Sequence, residues 1–277
     1  RTESCSRNFI YARPPASNAS RWATKQIEEC VKTKIIALIE VGSVFVFSSL
    51  VIWAWSTTAW AVWQQQQLYW NYFSHVFYII LTLLIIIVAK RNLTTYGLTL
   101  KNWGVGVRWG LIFVLILDGS LILAVLFFGD FKWTENILST IIFQLLIVSF
   151  SEEFLFRGYF QSRLNEVFEK KLHFKGFIFG WGLIITSFLF GFAHLLNPFN
   201  PLVGQFALDW TTGVMTVIYG FFFGLMREKT GSILMPAIVH GALFVSYLFP
   251  IPPIAFAVAW LINGILLFRV FGHASTT

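Results

Sequence analysis

Charge is scarce in this chain. Only 12% of its 277 residues are Asp, Glu, Lys or Arg, against about 25% in soluble domains, which excludes a soluble globular fold. Cysteine is scarcer still. Cys5 and Cys30 both precede the first long apolar run, so no disulfide framework is available, and on the topology argued below both thiols face a reducing compartment. No repeat of fixed period, no strand-like alternation and no His-Glu-x-x-His helix signature occur. Repeat architectures and the standard zincin geometry are thereby removed.

What is abundant is apolar. The chain is 57% hydrophobic, with 31 Phe and 12 Trp, and its mean hydropathy is +0.71. A bilayer core of about 30 Å needs about 20 such residues per helix. Eight stretches meet that need: 35–63, 68–89, 104–128, 137–160, 177–197, 206–226, 232–249 and 251–271. The expected fold is all-α, a polytopic membrane bundle of about eight transmembrane helices. It comprises a basic N-terminal arm over 1–34 and a membrane-embedded domain over 35–272. Gln64–Gln67, between Trp63 and Tyr69-Trp70, reads as an interfacial turn with aromatic anchors. Gly220 and Gly224, four apart, read as a helix-packing surface.

The net charge of +7 does not point to nucleic acid, because the basic residues alternate by loop. Arg1, Arg7, Arg13, Arg21, Lys25, Lys32 and Lys34 precede the first span. Lys90, Arg91 and Lys101 follow the second. Arg163, Lys170, Lys171 and Lys175 follow the fourth, Arg227 and Lys229 the sixth, and Arg269 ends the eighth. The intervening loops hold only Lys132. This is the positive-inside pattern, and it puts both termini in the cytosol. A bacterial cytoplasmic membrane is the expected setting, with a plastid or endomembrane as the alternative. Residues 1–27, rich in Arg, Ser and Ala with one acid, Glu3, resemble a transit peptide, although a basic tail fits equally well.

Against this apolar background stands Ser151-Glu152-Glu153-Phe154-Leu155-Phe156-Arg157. A charge at bilayer depth costs roughly 2.5–3.5 kcal/mol on insertion scales, so three in six residues need partners or a wet cavity. Glu153 and Arg157, four apart, share a helix face and can pair; Glu152 is rotated about 100° away. Without a close cation, Glu152 is suited to take a proton from water. His194 closes the fifth span before Pro198, and His240 lies in the seventh. The set offers a base, a polariser and oxyanion donors, or the two His and one Glu of a zinc site. A buried ion-pair triad that locks helices together is the purely structural alternative. Glu40, Asp118 and Asp209 recur in no usable spacing, and His75 is one more imidazole in the second span. Ser151 has no evident dyad partner, which disfavours a serine protease.

Glu152-Glu153-x-x-x-Arg157, Phe190-x-x-x-His194 and His240 resemble the three ordered motifs of the CPBP family: the CAAX proteases and bacteriocin-processing or immunity proteins, type II CAAX prenyl endopeptidases among them. Tyr96–Trp103 resembles the entry to the family core. Gly220–Gly224 with Lys229–Pro236 resembles its last motif region. The resemblance covers 96–245. It implies an eight-helix intramembrane endopeptidase in which Glu152 and His194 activate water, His240 helps hold the oxyanion, and Glu153 and Arg157 order the site. The implied substrate is a peptide or protein in or beside the bilayer, prenylated where the cell prenylates proteins. One departure is Phe244, where the family usually carries a polar residue. On the glutamate reading no cofactor is expected; if zinc is used, its candidate ligands are Glu152, His194 and His240. A non-proteolytic membrane-binding or bacteriocin-immunity relative is the functional alternative. The oligomeric state is not legible. The spans also set a condition. Glu152 and His194 lie toward opposite ends of their helices and meet only if the fourth runs past Phe160, toward Phe168, or if the fifth starts late or tilts.

Overall fold

A computed structural model describes residues 19–99, 102–128, 136–174, 176–245 and 253–272. The chain folds as α1 (Ala19–Ser56), α2 (Ala59–Leu68), α3 (Tyr72–Val88), α4 (Trp103–Phe128), a continuous α5 (Ile137–Val167), α6 (Trp181–Leu195), α7 (Trp210–Thr230), α8 (Leu234–Gly241) and α9 (Pro253–Gly272). It is a helical membrane bundle. Among the described residues, three helices are long and apolar enough to cross a bilayer alone: Thr24–Ser56, Trp103–Phe127 and Ile137–Val167. α2 and α3 would make a fourth span if taken together, but they bend by 111°. α6 and Val258–Arg269 of α9 are shorter apolar helices. Each of the eight expected stretches contains a helix, with shifted boundaries.

Polarity is distributed as lipid requires. Large apolar side chains face outward, among them Ile39 (62% exposed) and Leu115 (72%). Ser149, Ser151, Glu153, Arg157 and Gln161, all on α5, are buried. Without water at that depth, polar groups must find partners inside the bundle, so α5 becomes the central helix, packed against α1, α3, α6, α7 and α8.

α1 begins at Ala19, so residues 19–34 of the expected arm are helical and continuous with the first span. The break comes at Thr57–Thr58, where the Thr58 side chain accepts from the Ala61 N–H and starts α2. Gln64–Gln67 lie within α2. The turn follows them, at Tyr69, whose φ of 63° closes the helix. The Gln run is therefore the last turn of a surface helix that carries exposed Trp60 and Trp63, and the expected turn over 64–67 is corrected to one that follows it.

α5 is not uniform. Phe143–Val148 and Phe154–Gln161 are π-helical, and the α-helical Ser149–Glu153 lies between them. π-segments widen the turn and cluster at functional sites. Two antiparallel hairpins escaped the sequence reading: β1 (Lys171–Phe174) with β2 (Phe177–Gly180), and β3 (Phe199–Asn200) with β4 (Gln205–Phe206). Strands of two to four residues are too short to display a period. The first hairpin takes up residues 177–180, so α6 starts at Trp181. Asn165 Oδ1 accepts from the Gly182 N–H at 3.0 Å and fixes that start.

Glu40 of α1 binds α5 and the loop after α3 together. It meets Arg91 at 2.6 Å and Arg163 Nε at 2.8 Å, and it accepts from the Tyr159 hydroxyl at 2.5 Å. Small residues set the closest helix contacts. A Cβ on Gly220 of α7 would lie 3.1 Å from both Arg157 of α5 and the Ser187 backbone of α6. A Cβ on Gly241 of α8 would lie 2.8 Å from Leu145 Cδ1 and 3.0 Å from the Leu145 backbone. The expected arm before residue 19, Lys132 and His273 lie outside the described residues, as does the side chain of Phe244.

Candidate active site

Glu152 and Glu153 leave α5 in different directions. Glu153 points into the protein and is fully buried. Its Oε2 pairs with Arg157 Nε at 3.2 Å, one turn on, and its Oε1 meets His240 Nδ1 at 2.9 Å. The expected Glu153–Arg157 pair is present, with His240 as its third member. Arg157, also fully buried, lies against two aromatic faces. Its guanidinium is 4.2 Å from the Phe190 centroid and 5.4 Å from that of Phe223, a cation–π cradle that suits the weakly hydrated guanidinium.

Glu152 turns toward a ring of imidazoles. Its Oε2 stands 3.8 Å from His194 Nε2 and 3.8 Å from His240 Nε2, and its Oε1 stands 4.0 Å from His75 Nδ1. The expected lack of a close cationizable neighbour is therefore corrected: three rings surround it. Oε2 is buried and has no hydrogen-bond partner. A buried carboxylate oxygen is costly to leave bare. Side-chain exposure is 12% for Glu152, 20% for His194, 9% for His240 and 13% for His75, while Glu152 Oε2 itself is closed off from the surface.

The rings are oriented by their other nitrogens. His194 Nδ1 lies 2.9 Å from the Phe190 carbonyl, which can only accept, so Nδ1 carries a proton, and in the neutral ring Nε2 offers a lone pair toward Glu152. His240 Nδ1 likewise faces the Glu153 carboxylate. The ring of Phe223 stacks on that of His240 at 5.0 Å and 14°. The condition on helix length is met from both sides: α5 runs to Val167 and α6 starts late, at Trp181. Gly241 brings α8, with His240, against the first π-segment of α5.

Sequence reasoning missed His75 as a member of the cluster. Its Nδ1 lies 2.9 Å from Ser151 Oγ, so Ser151 has an imidazole partner after all. Ser151 is completely buried and out of reach of a substrate. The available signal was a lone imidazole in the otherwise apolar Tyr72–Val88 helix. The remaining candidates stand elsewhere. Glu40 belongs to the α1 clamp, and Asp118 Oδ1 on α4 is unpartnered. Asp209 caps α7, accepting from the Thr212 N–H at 2.9 Å and its hydroxyl at 2.7 Å. A polar cleft of about 290 Å³, lined among others by Gln161, Asn165, Arg227 and Glu228, opens farther along α5 and does not contain the cluster. Among the described residues, no group of three or more His, Cys, Asp or Glu is arranged to hold a metal ion.

Residues 134–246 match a protein-family model described as type II CAAX prenyl endopeptidase Rce1-like. No curated protein and no solved structure matches the chain. The matched segment begins just before α5 and ends just after α8, so it encloses Glu152, Glu153, Arg157, His194 and His240; His75 lies outside it. The segment 134–246 of this helical membrane bundle is thus similar to a type II CAAX prenyl endopeptidase Rce1-like domain, which is consistent with the CPBP and CAAX-protease family.

Proposed function

We propose that this protein is an intramembrane endopeptidase that hydrolyses a peptide bond with a water molecule activated by Glu152 and His194. The observation that carries the reading is the bare Oε2 of Glu152, 3.8 Å from the lone pair of His194 Nε2. Two acceptors at that separation can share the two protons of one water through hydrogen bonds of about 2.8 Å. Such a water has its oxygen turned outward, toward a substrate carbonyl. Glu152 takes the proton as the oxygen attacks, and returns it to the leaving amine. No covalent enzyme intermediate is required.

The tetrahedral intermediate places negative charge on the former carbonyl oxygen. His240 is set to meet it. With Nδ1–H given to Glu153, its Nε2 donates in the imidazolium form, and the Glu153 carboxylate balances that charge. Arg157 in turn holds Glu153. Glu153 and Arg157 therefore position His240 and do not touch the substrate. The mechanism takes no step through a metal.

The substrate reading follows from the family match: a peptide or protein at the bilayer, with a prenylated C-terminal tail as the first class to test. The alternation of basic loops supports cytosolic termini and a cytosolic approach to the site.

The test is cleavage of a farnesylated CAAX-type peptide, with its unprenylated counterpart, by the protein in lipid vesicles. Glu152→Gln keeps the shape and removes the base. Expected is loss of cleavage with an unchanged melting profile. Full cleavage by the Gln variant, or cleavage of neither peptide by the unaltered chain, overturns the proposal and favours a binding relative that does not hydrolyse.

A further inference from the structure

We infer that His75, on α3 and outside the matched family segment, is a positioning residue that fixes the second oxygen of Glu152 so that Oε2 stays aimed at the hydrolytic water. The inference rests on the hydrolytic reading above.

The proton inventory assigns the tautomer. Ser151 Oγ has one proton, and it lies 3.0 Å from the Val148 carbonyl, which can only accept. Toward His75 the hydroxyl is then an acceptor, so His75 Nδ1 carries the proton. That N–H points to the region between Ser151 Oγ, at 2.9 Å, and Glu152 Oε1, at 4.0 Å. Closing the second distance to hydrogen-bond length is a movement of about 1 Å, and catalytic hydrogen bonds are often long before substrate binds.

A carboxylate needs such a hold. The terminal torsion of Glu is broad and two-fold, so a Glu bound at neither oxygen samples tilts that spoil the alignment of Oε2. His194 and His240 both face Oε2; His75 is the imidazole on the Oε1 side. Its ring is itself held edge-on by Phe143, at 5.1 Å and 82°, and by Tyr78, at 6.0 Å and 88°. A residue present only to fill space would not need a donor at Nδ1. Ser151, next to Glu152 in the chain, serves as the resting acceptor, so the donor need not stand bare before substrate arrives.

Two amide substitutions separate the roles. Asn places its NH2 where Nδ1 was; Gln places it near the position of Nε2. Rates are measured per folded molecule on the farnesylated peptide, with Glu152→Gln as the reference. Expected for His75→Asn is kcat within about fivefold of the unaltered protein, and for His75→Gln a fall of about 10–100-fold, the usual scale for outer-shell partners and for misplacement by about 1 Å. KM should hold in both. Gln at the unaltered rate, Asn as impaired as Gln, or a loss carried by KM overturns the inference. So does a loss that merely follows the folded fraction. A readout free of catalysis runs beside it: the Glu152 carboxylate stretch, isolated as an infrared difference against Glu152→Gln, should shift in the Gln variant and stay in the Asn variant. An unchanged stretch in both removes His75 as a partner of Glu152. Cleavage surviving in Glu152→Gln sinks the hydrolytic reading itself, whatever the His75 variants do.

Discussion

Glu153 and His240 are joined at 2.9 Å across the interface of α5 and α8, while Arg157 holds the other oxygen of the same carboxylate at 3.2 Å. One fully buried acid therefore couples a cation to an imidazole from a distant part of the chain, and the coupling sets both stability and ring orientation.

Arg157→Ala leaves Glu153 buried without its cation. Removing one member of a buried pair costs about 3–5 kcal/mol, and a loss of that size is expected in chemical or thermal melts in detergent. The double variant Glu153→Gln with Arg157→Met removes both charges. It should recover a large part of the stability but none of the cleavage, because His240 still lacks its carboxylate. Additive losses in the double variant would mean that the two residues are not coupled.

The approach of α8 makes a second, sharply local prediction. At Gly241 an added Cβ meets the Leu145 backbone at 3.0 Å, and no rotamer change relieves a backbone contact. Gly241→Ala should lower stability by about 1–3 kcal/mol, as overpacking does, and should reduce cleavage by about 100-fold if His240 moves by about 1 Å. Gly119 on α4 meets nothing within 4 Å. There the same substitution should be harmless or raise stability by up to about 1 kcal/mol. Equal melting profiles for the two variants would refute the packing account.

These residues show what the sequence could reveal. The pairing of Glu153 with Arg157 was legible because four-residue spacing on a helix is a local fact. The membrane class was legible from composition, and the ordered Glu-Glu-x-x-x-Arg, His194 and His240 segments pointed to one site. His75 was not legible: it reaches Glu152 only through the packing of α3 on α5, and no spacing within the chain encodes that contact. The extension of α5 to Val167 could be posed as a condition but not decided, since its polar end, Gln161–Glu166, satisfies itself through Gly224, Glu228, Glu40 and Gly182. The hairpin at 171–180 was hidden by its shortness.

Asp209 gives a pH-dependent outcome. Hydrogen bonds from the Thr212 N–H and hydroxyl hold its carboxyl below the ordinary value of 3.8. A carboxyl whose folded pKa is depressed contributes stability above the unfolded pKa and loses it as pH falls through the folded one. Asp209→Ala should therefore lower the melting midpoint at neutral pH, by removal of the α7 cap. The gap between variant and parent should narrow as pH falls below 3.8. A gap independent of pH would remove the carboxylate from the account.

The last outcome separates water held by side chains from water held by a metal. Both chemistries would use Glu152, His194 and His240, and both would want the far nitrogens of the rings engaged, as they are by the Phe190 carbonyl and by Glu153. Ligands held tetrahedrally by zinc at about 2.0–2.2 Å stand about 3.4 Å from one another, close to the 3.8 Å between Glu152 Oε2 and each Nε2, so chelation is the discriminating experiment. On the glutamate reading, cleavage should survive prolonged treatment with a strong chelator, and elemental analysis of the active protein should return far less than one equivalent of zinc. Inhibition by the chelator that added zinc reverses would reassign the three side chains as ligands. Glu152 could not then serve as the base, and the proton would have to leave through another group.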